Sequence, residues 1–222
     1  MGLPVLIYGK SGSGKSRSLK FFGEEEILLF NIEGKALPFR QTFKYVCRTD
    51  NVDTIIEQLL KMPCKSAVID DAGYLITNTF MGGHSNTGTG NAQFQFYNKL
   101  ADQFWGLVQY IINDLPVEKI VYVMMHEEQD DFGNIKPKTI GKLLDQKVCI
   151  EGMFTIVLRA VADSQGHAFI TQAEDMAVSK SPLGMFESDR IDNDLILVEK
   201  AIRDYYEIPV QTEAEADHEK AK

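Results

Sequence analysis

An α/β fold, with a mainly parallel central sheet flanked by helices and an antiparallel extension, is predicted by three features of the sequence. Short apolar runs without alternation recur at Leu3 to Tyr8, Ile27 to Ile32, Ala67 to Ile69 and Ile120 to Met125, as expected of strands buried on both faces. Segments with helical spacing of apolar residues lie between them, the pattern of parallel strands joined by right-handed crossovers. Beyond Val148 two apolar segments flank Asp163-Ser164-Gln165-Gly166, which reads as an antiparallel hairpin added to the sheet.

Taken in order, Leu3 to Tyr8 is the first strand and a glycine-rich turn follows it at once. Ser16 to Phe22 reads as a helix, and Ile27 to Ile32 as the second strand. Val52 to Met62 has apolar residues at Val52, Ile55, Ile56, Leu59 and Leu60, one face of a helix for which Asn51 is the expected N-cap. The third strand, Ala67 to Ile69, ends in two aspartates, Asp70 and Asp71. Ala92 to Asn113 reads as a long helix carrying Phe94, Tyr97, Leu100, Phe104, Leu107, Val108 and Ile111, and Ile120 to Met125 as the fourth strand. The hairpin pairs Val148 to Ala162 with Ala168 to Thr171, and Ile191 to Tyr206 closes as a helix. Two polar, glycine-rich stretches, 81–91 and 127–141, read as loops. Residues 1–210 are expected to form a single domain, and the acidic stretch Gln211 to Lys222 a flexible tail.

With 222 residues, 44% of them hydrophobic, the chain can bury a core without disulfides or a structural metal. Cys47, Cys64 and Cys149 are far apart and never in a C-x-x-C pair, which removes the disulfide-scaffold and zinc-ribbon classes and points to a reducing, cytoplasmic setting. The 32 acidic against 23 basic residues give a net charge of -9, so coating of nucleic acid by bulk charge is excluded while local contacts are not. No apolar run is long enough to suggest a membrane span.

Function is written most clearly in Gly9-Lys10-Ser11-Gly12-Ser13-Gly14-Lys15-Ser16. It matches G-x-x-x-x-G-K-[ST] and stands between a buried strand and a helix, where backbone N–H groups can wrap a phosphate chain. ATP is the expected ligand. In this pattern Lys15 reaches the β and γ phosphates, and Ser16 offers its hydroxyl to Mg²⁺, which takes one or two protein oxygens along with phosphates and water. Asp70 ends an apolar strand at the edge where such sheets bind ligands, and is the second expected Mg²⁺ residue. Because side chains alternate along a strand, Asp71 is expected to point elsewhere. Glu33 ends the second strand, where a carboxylate can polarise an attacking water, and His126 ends the fourth, where it can sense the γ-phosphate. His84, His167 and His218 are scattered and read as surface residues.

The succession GKSGSGKS, a strand ending in IEG, AVIDD, a loop with a long helix, then VYVMMH and a second loop resembles the RecA-like P-loop NTPase core. More narrowly it resembles phage-encoded ATP-binding proteins of that fold, including the small single-strand annealing proteins of the Sak-four type. Its most specific stretches are the P-loop and Lys142 to Asp145 through Ile156 to Arg159. The resemblance implies that Glu33 is the catalytic glutamate, that Asp70 belongs to the magnesium site, and that His126 replaces the glutamine that relays nucleotide state. It further implies that loops 81–91 and 127–141 contact single-stranded DNA and that the chain forms a homo-oligomer; if a neighbouring subunit completes the ATP site, Lys136, Lys138 and Lys142 are the candidates to reach it, with ordinary surface lysines as the alternative. The expectation is a Mg²⁺-dependent ATPase acting on single-stranded DNA in phage recombination or replication. A nucleotide or nucleoside kinase and a nucleotide-gated interaction module are the alternatives. No arginine lies between Arg48 and Arg159, which disfavours the arginine-lined lid of a small-molecule kinase.

Overall fold

The computed structural model describes residues 1–139, 148–174 and 176–209. Among these, nine strands build the sheet: β1 (Leu3–Gly9), β2 (Ile27–Asn31), β3 (Tyr45–Cys47), β4 (Ser66–Asp70), β5 (Ile120–Gln129), β6 (Ile135–Pro137), β7 (Ile156–Asp163), β8 (Gly166–Ile170) and β9 (Arg190–Asp192). Their order is β3-β2-β4-β5-β1-β7-β8-β9, with β6 paired to β5. Every pair from β3 through β7 along this path is parallel, whereas β5–β6, β7–β8 and β8–β9 are antiparallel. This is the mainly parallel α/β sheet with an antiparallel extension that the buried apolar runs predict.

Alternation along each strand divides the core in two. Leu6, Tyr8, Val121, Val123 and Met125 face one apolar cluster, while Val5, Ile7, Ile120, Tyr122 and Met124 face the other. The first cluster is covered by helices α1 (Val52–Lys61), α2 (Gly73–Gly83) and α3 (Asn91–Asp114), and the second by the 3₁₀ segment Ser16–Phe21 and helix α4 (Leu195–Tyr205). In α3 the buried positions Leu100, Phe104, Leu107, Val108 and Ile111 follow helical spacing, and Asn51 Oδ1 accepts from Thr54 N at 2.9 Å as the N-cap of α1.

Several elements differ from the sequence expectation. Residues 127–137 do not form a loop: β5 continues to Gln129 and turns back into β6, with Asp130 accepting from Phe132 N and Asn134 N at the hairpin tip. Helix α2 occupies the start of the 81–91 stretch, with Gly82 and Gly83 in its last turn. The segment after the P-loop is 3₁₀ rather than α-helical, and the C-terminal stretch divides into β9 and α4 around Asn193 and Asp194, whose carboxylate caps α4 through Ile196 N. The hairpin's first strand begins at Ile156 and not at Val148. The acidic stretch Gln211 to Lys222, the Lys142 to Asp145 motif and His218 lie outside the described residues. No described helix is long and apolar enough to cross a membrane.

Removal of the α1 cap tests the element assignment most simply. Asn51→Ala is expected to lower stability by about 1 kcal/mol in urea denaturation, with nucleotide affinity unchanged because α1 packs on the opposite face of the sheet from the 3₁₀ segment that follows the P-loop. No loss of stability would show that Asn51 does not cap this helix.

Candidate functional site

The parallel register brings three strand ends to one edge of the sheet. Gly9 is the register partner of His126, and β5 separates β1 from β4, so His126 stands between the P-loop and Asp70. A cleft of about 740 Å³ opens there, within the range of small-ligand sites.

Backbone freedom shapes the loop itself. Gly12 and Gly14 have φ of 80° and 104°, a region open to glycine at no steric cost. At Gly9 a Cβ would stand 2.4 Å from Ala160 O and 2.6 Å from Ser13 Oγ, so only glycine fits between the loop and β7. Lys15 is buried, and its Nζ donates to Gly9 O at 2.8 Å and Lys10 O at 2.9 Å, curled into the loop it serves. Burial lowers the Lys15 ammonium below the usual lysine range, and the carboxylates of Asp71, Asp70 and Glu127 oppose that shift. Ser13 Oγ is buried with no partner among the described residues.

Ser16 Oγ donates to Asp70 Oδ1 at 2.9 Å, joining the P-loop to the end of β4 across 54 residues of sequence. A hydroxyl and a carboxylate in contact are two hard oxygen donors, the set that Mg²⁺ takes when phosphates and water fill the rest of its shell. No cluster of three or more His, Cys, Asp or Glu suited to a metal occurs among the described residues. The chemistry of this donor pair and the glycine-lined loop therefore suit a Mg²⁺–nucleoside triphosphate.

Asp71 corrects the alternation argument. Its φ of 59° takes the chain out of the strand, so the next side chain does not point away but lines the cleft. There its carboxylate meets Lys35 Nζ at 2.9 Å and His126 Nε2 at 3.2 Å. Burial raises the Asp71 carboxyl, but hydrogen bonds from His126 and Lys35 outweigh it and hold it down at about 2. Lys35 Nζ also lies 4.9 Å from the Tyr74 ring centroid, a cation–π arrangement. Glu33 does not line the cleft: Asn78 Nδ2, on α2, donates to its Oε1 at 3.0 Å.

Other residues arrive from segments whose role the sequence did not reveal. His167 does not lie on the open surface, because β8 carries it against the P-loop, with Nδ1 3.1 Å from Ser13 O. Arg17 lines the same cleft and donates to Asn193 Oδ1 at 3.2 Å. Glu127 is engaged by Arg159 through two hydrogen bonds of 2.9 and 3.2 Å, a half-buried pair joining β5 to β7. Lys138 lines the nucleotide cleft and Lys136 lies 3.5 Å from Glu128, while Lys142 is outside the described residues. His84 is exposed and stacks on Phe80. The position of Arg17 directly after the motif is the one sequence signal that pointed to it.

A comparison with protein families matches residues 1–183 to the AAA domain. The chain belongs to the AAA domain family. The AAA domain match spans the P-loop, Glu33, the two aspartates and His126, and identifies a nucleotide-binding P-loop ATPase fold. A comparison with curated proteins finds no match.

Burial gives Asp70 a distinctive pH signature. Burial pushes its carboxyl up to about 6, with Asp71 adding to the rise while Ser16 and Lys15 oppose it. The folded chain thus holds a proton that an unfolded carboxyl of pKa 3.8 has already lost, so this site's contribution to stability declines as pH rises from about 4 to about 6. Asp70→Asn keeps an acceptor for Ser16 and removes the ionisation. Without nucleotide or magnesium the variant should be more stable than wild type at pH 7 in urea denaturation. Equal or lower stability would show that the carboxylate is not strained by burial.

Proposed function

We propose that this protein is a Mg²⁺-dependent ATP hydrolase in which Glu33 polarises the attacking water. The observation that carries the reading is the Ser16–Asp70 hydrogen bond, because it unites the P-loop hydroxyl and the strand-end carboxylate at one point. Magnesium, when bound, would neutralise charge on the β and γ phosphates and orient them. Ser16 and Asp70 would hold it. Lys15 exchanges two backbone carbonyls for phosphate oxygens, trading neutral acceptors for charged ones.

Of the two carboxylates near the γ end, Glu33 is the better base. Asp71 is bound by Lys35 and His126, and a carboxyl held at about 2 is a weak proton acceptor. The hydrogen bond to Glu33 comes instead from the neutral amide of Asn78, which orients the group and leaves its second oxygen for water. Asp71 is then a positioning residue, anchoring Lys35 and His126 beside the phosphates. Geometry at a catalytic base tightens with substrate bound, so standing outside the cleft lining does not disqualify Glu33.

A second reading concerns single-stranded DNA, bound by several copies of the chain in phage recombination or replication. It is favoured by α2, which begins at the cleft with Gly73, Tyr74 and Thr77 and ends at Gly83, just before an exposed stretch containing His84 and Phe94. Exposed aromatic groups such as Phe94, in the first turn of α3, are surfaces on which bases stack. With 127–137 folded as a hairpin, residues 84–95 are the stronger candidate for this contact.

Hydrolysis is tested by inorganic phosphate release. Lys15→Ala should abolish tight ATP binding. Glu33→Gln should retain ATP affinity and reduce turnover by roughly 100-fold, whereas Asp71→Asn should reduce it much less. A larger loss in Asp71→Asn would move the base to Asp71, and transfer of phosphate to a small acceptor would favour a kinase. Anisotropy with a labelled oligonucleotide should show ATP-dependent binding that falls with salt and weakens in Phe94→Ala. Absence of binding at low salt with ATP would end the DNA reading.

A further inference from the structure

We propose that His167 is the residue that recognises the nucleoside end of the bound nucleotide, through a hydrogen bond accepted by its Nε2. The inference rests on the reading of the P-loop as an ATP site and adds which part of the ligand lies on the β8 side. Sheet order separates the two flanks of the cleft. Asp70 and Asp71 at the end of β4, and His126 within β5, lie on one side of β1 and mark the metal and γ-phosphate end. His167 comes from β8, on the other side of β1 beyond β7, and lines the same cleft with Gly14 and Arg17. A triphosphate whose metal-bound γ end lies at Ser16 and Asp70 extends along the loop away from β4, and leaves its sugar and base toward this second flank.

The chemistry of the imidazole is set by its neighbour. Nδ1 stands 3.1 Å from Ser13 O, and a carbonyl only accepts, so Nδ1 carries the hydrogen. In the neutral ring Nε2 is then an acceptor, suited to a sugar hydroxyl or an exocyclic amine on the base. The ring is held closely in place. At Gly14, φ is 104° and a Cβ would come within 2.8 Å of His167 Nδ1 and 2.9 Å of Asn193 Oδ1, so the loop, His167 and Asn193 meet with no room to spare. Asn193 is buried, accepts from Arg17 Nη1 at 3.2 Å, and its Nδ2 has no partner among the described residues. It braces the turn between β9 and α4 against the segment that follows the P-loop.

Displacement of a fluorescent ATP analogue from the full chain, in the presence of Mg²⁺, separates nucleoside recognition from phosphate binding. The competitors are ATP, 2′,3′-dideoxy-ATP, inosine triphosphate and inorganic tripolyphosphate. His167→Asn retains a donor near the Nδ1 position but lacks the Nε2 acceptor, and His167→Gln places a polar group near Nε2. His167→Asn should weaken ATP by about tenfold, the value of one good hydrogen bond, and leave tripolyphosphate unchanged, with His167→Gln recovering part of the loss. The penalty should vanish for dideoxy-ATP if the partner is the sugar, or for inosine triphosphate if it is the amine. Equal weakening of ATP and tripolyphosphate, or no change for ATP, would overturn the proposal while the Lys15→Ala loss of both ligands upheld the P-loop. Failure of both ligands to compete on the wild-type chain would overturn the two readings together.

Discussion

Parallel pairing of β4, β5 and β1 is the constraint on which the site depends. In a parallel ladder all carboxyl ends open on one edge, and the register that sets Gly9 beside His126 also brings the end of β4 to the same edge, one residue past the Ile69–Val123 pair. The strands have almost no freedom to slip, because a shift of one residue would exchange the two apolar clusters and turn buried side chains such as Leu6 and Val123 to the wrong face. Nucleotide chemistry is thus built on a rigid frame. The loops need only supply the glycine geometry and the charged ends.

The charges gathered at that edge are mutually dependent. Lys15 is buried near Asp70, Asp71 and Glu127, and Glu127 is itself held by Arg159. Asp70 remains the least satisfied member: its carboxyl is raised by burial and by Asp71, and its partner is a neutral hydroxyl. Asp71, engaged by both Lys35 and His126, is the most satisfied. This asymmetry suits one carboxylate to receive a cation and the other to anchor the side chains around it. Buried charges arranged in this way reduce the stability of the empty fold in favour of binding.

The P-loop and the parallel sheet were legible in the sequence because each depends on local patterns of residue type, a fixed motif in one case and short apolar runs in the other. The strands β3, β6 and β9 have three residues each, too few for a periodic signal. Helix α2 was missed because residues 73–80 lack a clear helical spacing and its last three residues fell in the stretch read as a loop, although Leu75 and Ile76 are buried in the core. Asp71 required knowledge of a positive φ, which a rule of alternation does not contain. His167 lies 154 residues from Ser13, and only the antiparallel return of β8 beside β7 brings them together. What escaped the sequence reading therefore depends on long-range topology.

The central claim is that the curled Lys15 and the Ser16–Asp70 pair form the phosphate and metal end of a nucleotide site. A crystal structure with Mg²⁺ and a non-hydrolysable ATP analogue tests it most directly. Lys15 Nζ should leave Gly9 O and Lys10 O for the β and γ phosphates, with the metal beside Ser16 Oγ and Asp70 on the β4 side of the loop. A nucleotide bound elsewhere, or Lys15 still bonded to the two carbonyls with the analogue present, would contradict it.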